Sequence, residues 1–231
     1  MGLRLTSDFG VRHSIFCGSP SFPVPTLPLP PSGRAANLAH VKNNMDVPVL
    51  DDLVFVSIDI QPREPRVWTR DNLHPDYVRD GFSPEELNAG EKHFQETVVP
   101  NALKLARWAR ERRLPRMFVH WADSRPHDRF ELFPEDAVVP KTEMDAFPSS
   151  NFGQVLAATG RRTLLMIGGH TQGCLGRTAT TAIRNGYRCL LVRDASFDCS
   201  IKRWPKGIAA VAYAAIYETE QVLGWKWTAD C

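Results

Sequence analysis

Residues 163–194, TLLMIGGHTQGCLGRTATTAIRNGYRCLLVRD, leave few folds open to this chain. An apolar run over 163–167 has strand character and ends in Gly168-Gly169. A tight loop over 170–173 then delivers Cys174 to a helical pattern. Leu175, Thr178, Ala179, Ala182 and Ile183 recur at helical spacing, and Asn185-Gly186 stops the helix. A second apolar run, 189–192, follows and ends at Asp194. Strand, loop, helix and strand in that order form a right-handed crossover, which requires a parallel sheet. The crossover sets Cys174 where a helix N-terminus meets the carboxyl ends of the strands, the crevice in which open α/β sheets hold ligands. Unpaired N–H groups and the dipole of a helix start favour a thiolate and can receive an oxyanion. The alternative is a small buried residue filling a tight turn.

Strand and helix patterns alternate from residue 53 onward. LVFVSI at 53–58 is the continuous apolar run of a strand buried on both faces. It ends at Asp59, a residue type poor in strands and costly to bury, so its place is informative; a helix cap or a partner for a nearby Arg is the alternative. Residues 61–84 are irregular, with Pro62, Pro65, Pro75 and Pro84, and long for a connection. Ser83-Pro84 opens a helix, and 91–113 is a helix that Pro100 kinks or divides. A second strand covers 116–120 and ends at His120. A loop over 121–140 follows, and its last residues, 138–140, approach Lys141 in extended form. A short helix at 152–158 is closed by Gly160. A helix at 205–213 and a last short strand at 215–217 precede 221–227. This alternation predicts a doubly wound, mostly parallel α/β sheet flanked by helices in three layers. Asp59, His120, the Gly168 loop and Asp194 then fall on one rim.

Residues 1–47 have another character. A proline cluster over 19–32, including Pro28, Pro30 and Pro31, favours extended conformations and cannot pair into a sheet. The segment reads as a disordered arm or leader ahead of a domain over 48–231, with Met45 as an alternative start. Arg and Ser with little acid hint at a transit peptide, which the proline content opposes. A net charge of +2 on 231 residues points away from nucleic acid or an acidic surface as partner. The basic stretch 107–116 fits the solvated face of a helix. Five scattered cysteines make neither a disulfide framework nor a metal spacing, so a reducing cytosol is the simplest setting. No apolar stretch is long enough to cross a bilayer.

Three segments resemble the isochorismatase-like cysteine hydrolases, over about residues 53–223. Val56-Ser57-Ile58-Asp59-Ile60-Gln61 is similar to that family's strand-end Asp followed by Gln. Pro140-Lys141, with Ala146-Phe147 and the helix at Phe152, resembles its Lys segment. Gly168-Gly169-His170-Thr171-Gln172-Gly173-Cys174 resembles the loop before its nucleophilic Cys, notably in the N-carbamoylsarcosine amidohydrolase branch. The resemblance implies a catalytic trio of Asp59, Lys141 and Cys174, with the backbone N–H groups of His170 and Cys174 as oxyanion hole and a cis peptide between Gly169 and His170. It implies a small amide or N-carbamoyl substrate, no cofactor, no metal, no nucleic-acid or membrane partner, and a homodimer or homotetramer. Gln61, Trp68, His120, Trp121 and Phe147 are the expected pocket residues; core packing is the alternative for the aromatics.

Other readings stand beside this one. Lys141 is alternatively an exposed loop lysine. The glycine loop lacks the dinucleotide spacing, because His170 stands where a glycine would be needed. His120, Asp123 and His127 are metal-binding types, but their spacing is not that of the nicotinamidase branch of the family. Isochorismatases proper lack the Cys and cleave a vinyl ether, so Cys174 favours amide chemistry. An ether-cleaving hydrolase, or a non-catalytic binding or redox-sensing protein with a reactive Cys174, are the remaining alternatives.

Overall fold

A computed structural model describes residues 49–225. The arm expected over 1–47 and the end of the 221–227 segment lie outside the described residues. Among the described residues, six parallel strands form one sheet in the order β3-β2-β1-β4-β5-β6. They are β1 (Leu53–Ile58), β2 (Arg116–Trp121), β3 (Ala137–Lys141), β4 (Thr163–Gly169), β5 (Arg188–Phe197) and β6 (Ala215–Tyr217). Every residue of β1 and β4 is buried, as the unbroken apolar runs require of central strands.

The two-residue side-chain period splits each central strand between two cores. Leu53, Phe55, Leu165 and Ile167 pack with Phe94, Val98, Ala102, Leu105 and Trp108 on one face. Val54, Val56, Ile58, Leu164 and Met166 pack with Phe152, Leu156, Leu175, Ala179 and Ala182 on the other. The first layer holds α3 (Val99–Glu111), into which α2 (Pro84–His93) leads, and α8 (Thr219–Leu223). The second holds α4 (Ala146–Ser149), α5 (Phe152–Ala158), α6 (Cys174–Arg184) and α7 (Trp204–Ala209). A short α1 (Pro75–Arg79) lies within the irregular 61–84 segment. The fold is therefore doubly wound, and the strand order reverses between β1 and β4. The crevice beyond the carboxyl ends of those two strands is the switch point at which such sheets bind ligands.

Several boundaries differ from the sequence expectation. The helix opens at Pro84, capped by the Ser83 hydroxyl as expected, but does not end before the helix expected at 91: it passes through a π-helical turn, Phe94–Val98, into α3. Pro100 removes an amide donor near the start of α3, and the wide turn before it absorbs that loss. α7 ends at Ala209, short of the expected 213. Residue 214 is already turning toward β6, its amide bonded to the Cys189 carbonyl at 2.8 Å.

β5 does not stop at Asp194 but runs to Phe197, because its pairing with β4 slips between Met166 and Gly168. Asp194 is consequently not a rim residue. Its carboxylate accepts from the Thr219 amide at 2.8 Å, the Thr219 hydroxyl at 2.7 Å and the Asn101 amide at 3.0 Å, tying α8 and α3 to β5. The rim position at the end of β5 belongs to Asp198.

Candidate active site

Three side chains from distant segments meet at the switch point. Asp59 follows β1 in a left-handed backbone conformation, φ 53°, which Asp adopts more readily than most residues. Its amide donates to the Val119 carbonyl at 2.9 Å, fixing the turn against β2. Lys141 ends β3 and is 0% exposed. Its Nζ lies 3.0 Å from Asp59 Oδ2 and 3.4 Å from Cys174 Sγ. The Trp121 ring covers the same nitrogen, 3.6 Å from its centroid, so the cation gains an aromatic face where water is excluded. Cys174 is the first residue of α6 and 7% exposed. Lys141 is thus no loop lysine in solvent.

The electrostatics set the resting state. Burial, then the Asp59 charge, push the Cys174 thiol up to about 12, with Lys141 opposing. Burial also raises the Asp59 carboxyl, against the Lys141 charge and the Cys174 hydrogen bond. The direction of this shift opposes the resting thiolate expected from the helix start alone. The helix dipole is outweighed by loss of solvent and a neighbouring carboxylate. The arrangement suits transfer of a proton from sulfur to carboxylate as a bond forms, rather than storage of a thiolate.

The loop before Cys174 is held from several sides. The Gly169–His170 peptide is cis. Gly168, at φ 106°, lies so near β1 that a Cβ there would sit 1.9 Å from the Ile58 carbonyl oxygen. The Thr171 amide donates to the Phe197 carbonyl at 3.0 Å, and the Gly173 and Leu175 amides donate to the His170 carbonyl at 2.9 and 3.2 Å. Asp198, which the sequence reading missed, accepts on Oδ2 from the Thr171 hydroxyl at 2.8 Å and the Gln172 amide at 2.9 Å. The Trp121 contact to Lys141 had a sequence signal, an aromatic at a strand end. Asp198 had one only if the alternation of residues 195–197 were read as continued strand.

The remaining candidates divide. The Gln61 side-chain oxygen accepts from the Trp121 amide at 3.3 Å, and His120 Nδ1 lies 2.8 Å from the Trp121 carbonyl. Phe147 packs edge-on against Phe152, 5.0 Å between centroids, in the core that includes Cys174. Trp68 is placed in the 61–84 segment, against Tyr77, with both backbone polar groups bonded to Asn88. His127 Nδ1 accepts from the Arg129 amide at 3.2 Å and shares no metal-capable cluster with His120 and Asp123. Among the described residues the group of that kind is His170, Asp198 and Cys199, whose donor atoms lie within 4.8 Å of one another. Asp198 already accepts protein donors on both oxygens, and burial and the Asp198 charge push the Cys199 thiol up to about 12. That set fits a hydrogen-bond network better than a cation.

A doubly wound parallel sheet with a buried thiol, ammonium and carboxylate at its switch point defines a class of α/β proteins. Within it, the chain belongs to the isochorismatase domain family, whose model matches residues 75–221. Ureidoacrylate amidohydrolase RutB of Azorhizobium caulinodans is 29% identical over 149 residues, 64% of this chain and 63% of that protein. RutB of Variovorax paradoxus is 33% identical over 97 residues, 42% of this chain and 36% of its own length. The chain thus spans less than two thirds of either relative. The solved N-carbamoylsarcosine amidase of Thermoplasma acidophilum superposes with a TM-score of 0.53 at 20% identity, over 73% of this chain and 97% of that one, a likeness of fold.

Proposed function

We propose that this protein is a cysteine-dependent hydrolase of a small amide or N-carbamoyl compound, acting on a C–N bond through a thioester on Cys174. The observation that carries the reading is the Lys141 ammonium, buried between the Asp59 carboxylate and the Cys174 sulfur at 3.0 and 3.4 Å. The names of the relatives, ureidoacrylate amidohydrolase among them, support an amide as substrate.

In this reading Asp59 takes the Cys174 proton as sulfur attacks the carbonyl carbon. The oxyanion rests on the backbone N–H groups of His170 and Cys174. The C–N bond then breaks, and Asp59 returns the proton to the departing nitrogen. Water attacks the thioester, its proton passing to Asp59 and then to the leaving sulfur, which restores thiol and carboxylate. Lys141 keeps Asp59 ionised beside the thiol and steadies the sulfur as charge develops on it. Gln61, His120, Trp121 and Phe147 border the substrate.

The test is a panel of ureido acids, N-carbamoyl amino acids and primary amides, with mass spectrometry for an acyl adduct on Cys174. Turnover in the wild type and its loss in Cys174→Ser is the expected result. Undiminished turnover in Cys174→Ser sinks the proposal and favours ether cleavage. The free thiols of Cys174, Cys189 and Cys199 suit a reducing cytosol as location. No helix among the described residues is long and apolar enough to cross a membrane. By the family resemblance we extend the proposal to a homodimer or homotetramer, which light scattering on the full chain decides.

A further inference from the structure

We infer that Asp198 is a positioning residue for the oxyanion loop; the inference rests on the reading of the site as a cysteine hydrolase. The loop between His170 and Cys174 carries one proposed oxyanion donor at its start and delivers the other at its end. Two of its three middle residues, Thr171 and Gln172, are both anchored on a single oxygen of Asp198, at 2.8 and 2.9 Å. The other oxygen accepts from the Cys199 amide at 2.9 Å, which locks the carboxylate against its own backbone. Asp198 is 5% exposed, so these bonds are not shared with solvent.

The residue type follows from the donor count. Thr171, Gln172 and Cys199 all present hydrogens, and only an ionised carboxylate accepts on both oxygens without offering a hydrogen of its own. An amide in its place turns an NH2 group against one of those donors. The rest of the loop's support is backbone hydrogen bonding, from the Thr171 amide to the Phe197 carbonyl at 3.0 Å and from the Gly173 and Leu175 amides to the His170 carbonyl, together with steric contact. A Cβ on Gly176 would lie 2.2 Å from the Thr171 carbonyl oxygen, and one on Gly207 would lie 2.3 Å from the Thr171 hydroxyl. Helices α6 and α7 therefore press on the loop from two sides, and Asp198 supplies the side-chain carboxylate that anchors Thr171 and Gln172 against them. Cys174 itself is fixed separately, by Leu175, Ala179 and Ala182 in the second core. Loss of Asp198 should therefore displace the donor at His170 while leaving the sulfur in place.

That separation gives the test. Acylation of Cys174 by p-nitrophenyl acetate passes through an oxyanion, whereas its alkylation by iodoacetamide does not. Both are followed at the Cys174 peptide by mass spectrometry, so Cys199 and Cys189 do not interfere. In Asp198→Ala, acylation should fall about tenfold or more while alkylation stays within about twofold, with Asp198→Asn in between. Equal losses in the two reactions, or no loss in either, overturn the inference. Should Asp198→Ala fail to fold, Asp198→Asn carries the same comparison. Should wild-type Cys174 take no acyl group, the hydrolase reading fails. Hydrogen exchange over 170–174 then decides the positioning role: faster exchange in the variant with β1 still protected supports it, and unchanged exchange refutes it.

Discussion

Lys141 has no contact with water, so its charge and that of Asp59 stabilise each other or neither is tolerated. Lys141→Met strands a carboxylate inside the protein and should cost about 3–5 kcal/mol of stability in urea denaturation. The double variant Asp59→Asn/Lys141→Met should lose less than the sum of its singles, because no charge is left unpaired. The pH profile follows from the directions of the two shifts. Asp59 must be ionised to accept the proton, and burial raises its carboxyl. The rate should therefore fall, as pH is lowered, at a higher pH than an ordinary carboxyl would give. Burial and the Asp59 charge push the thiol up to about 12, so it should add no alkaline limb at neutral or mildly basic pH. A kcat/KM profile whose rising limb follows thiol ionisation contradicts this assignment of the base. The sequence marked Asp59 by the end of an apolar run and Cys174 by the start of a helical pattern after a glycine loop, whereas Lys141 joined them only through the family resemblance. The protonation state was not legible, since it depends on how completely the fold removes water.

Apolar runs located β1, β2 and β4 closely, because a strand covered on both faces admits little else. Errors gathered where pairing or packing overrode the local pattern. β5 continues past Asp194 through a register slip that no run of residue types announces, and that hid Asp198. The helix start at Ser83-Pro84 was legible from its cap and proline, whereas its unbroken passage through Phe94–Val98 into α3 was not. Close approach of backbones leaves its own signature in glycine. Gly176 sits in the first turn of α6, where alanine is the better helix former, by up to about 1 kcal/mol. An added Cβ would nonetheless meet the Thr171 carbonyl oxygen at 2.2 Å. Gly176→Ala should therefore keep the fold and lose about tenfold or more in kcat, by pushing the loop off its donors' positions. Thermal melting beside turnover separates the two effects; a variant that melts early but turns over normally when folded counts against this account.

The domain keeps its structural and reactive charges at opposite ends of the sheet. At the amino end of β2, Arg116 pairs with Asp136, both nearly buried, and donates to the Ala106 and Glu131 carbonyls at 3.1 Å each. Arg116→Met should destabilise by about 3–5 kcal/mol, while the folded fraction keeps its turnover, as denaturation and active-site titration would report. The outermost strands bear on how copies can meet. The Lys141 carbonyl faces inward, accepting from the Ala122 amide at 2.8 Å, so alternation turns the ring nitrogen of Pro140 outward. An incoming strand finds no hydrogen to accept there, and the opposite border, β6, is only three residues long. Among the described residues, both margins of the sheet thus oppose lateral growth into a continuous ribbon.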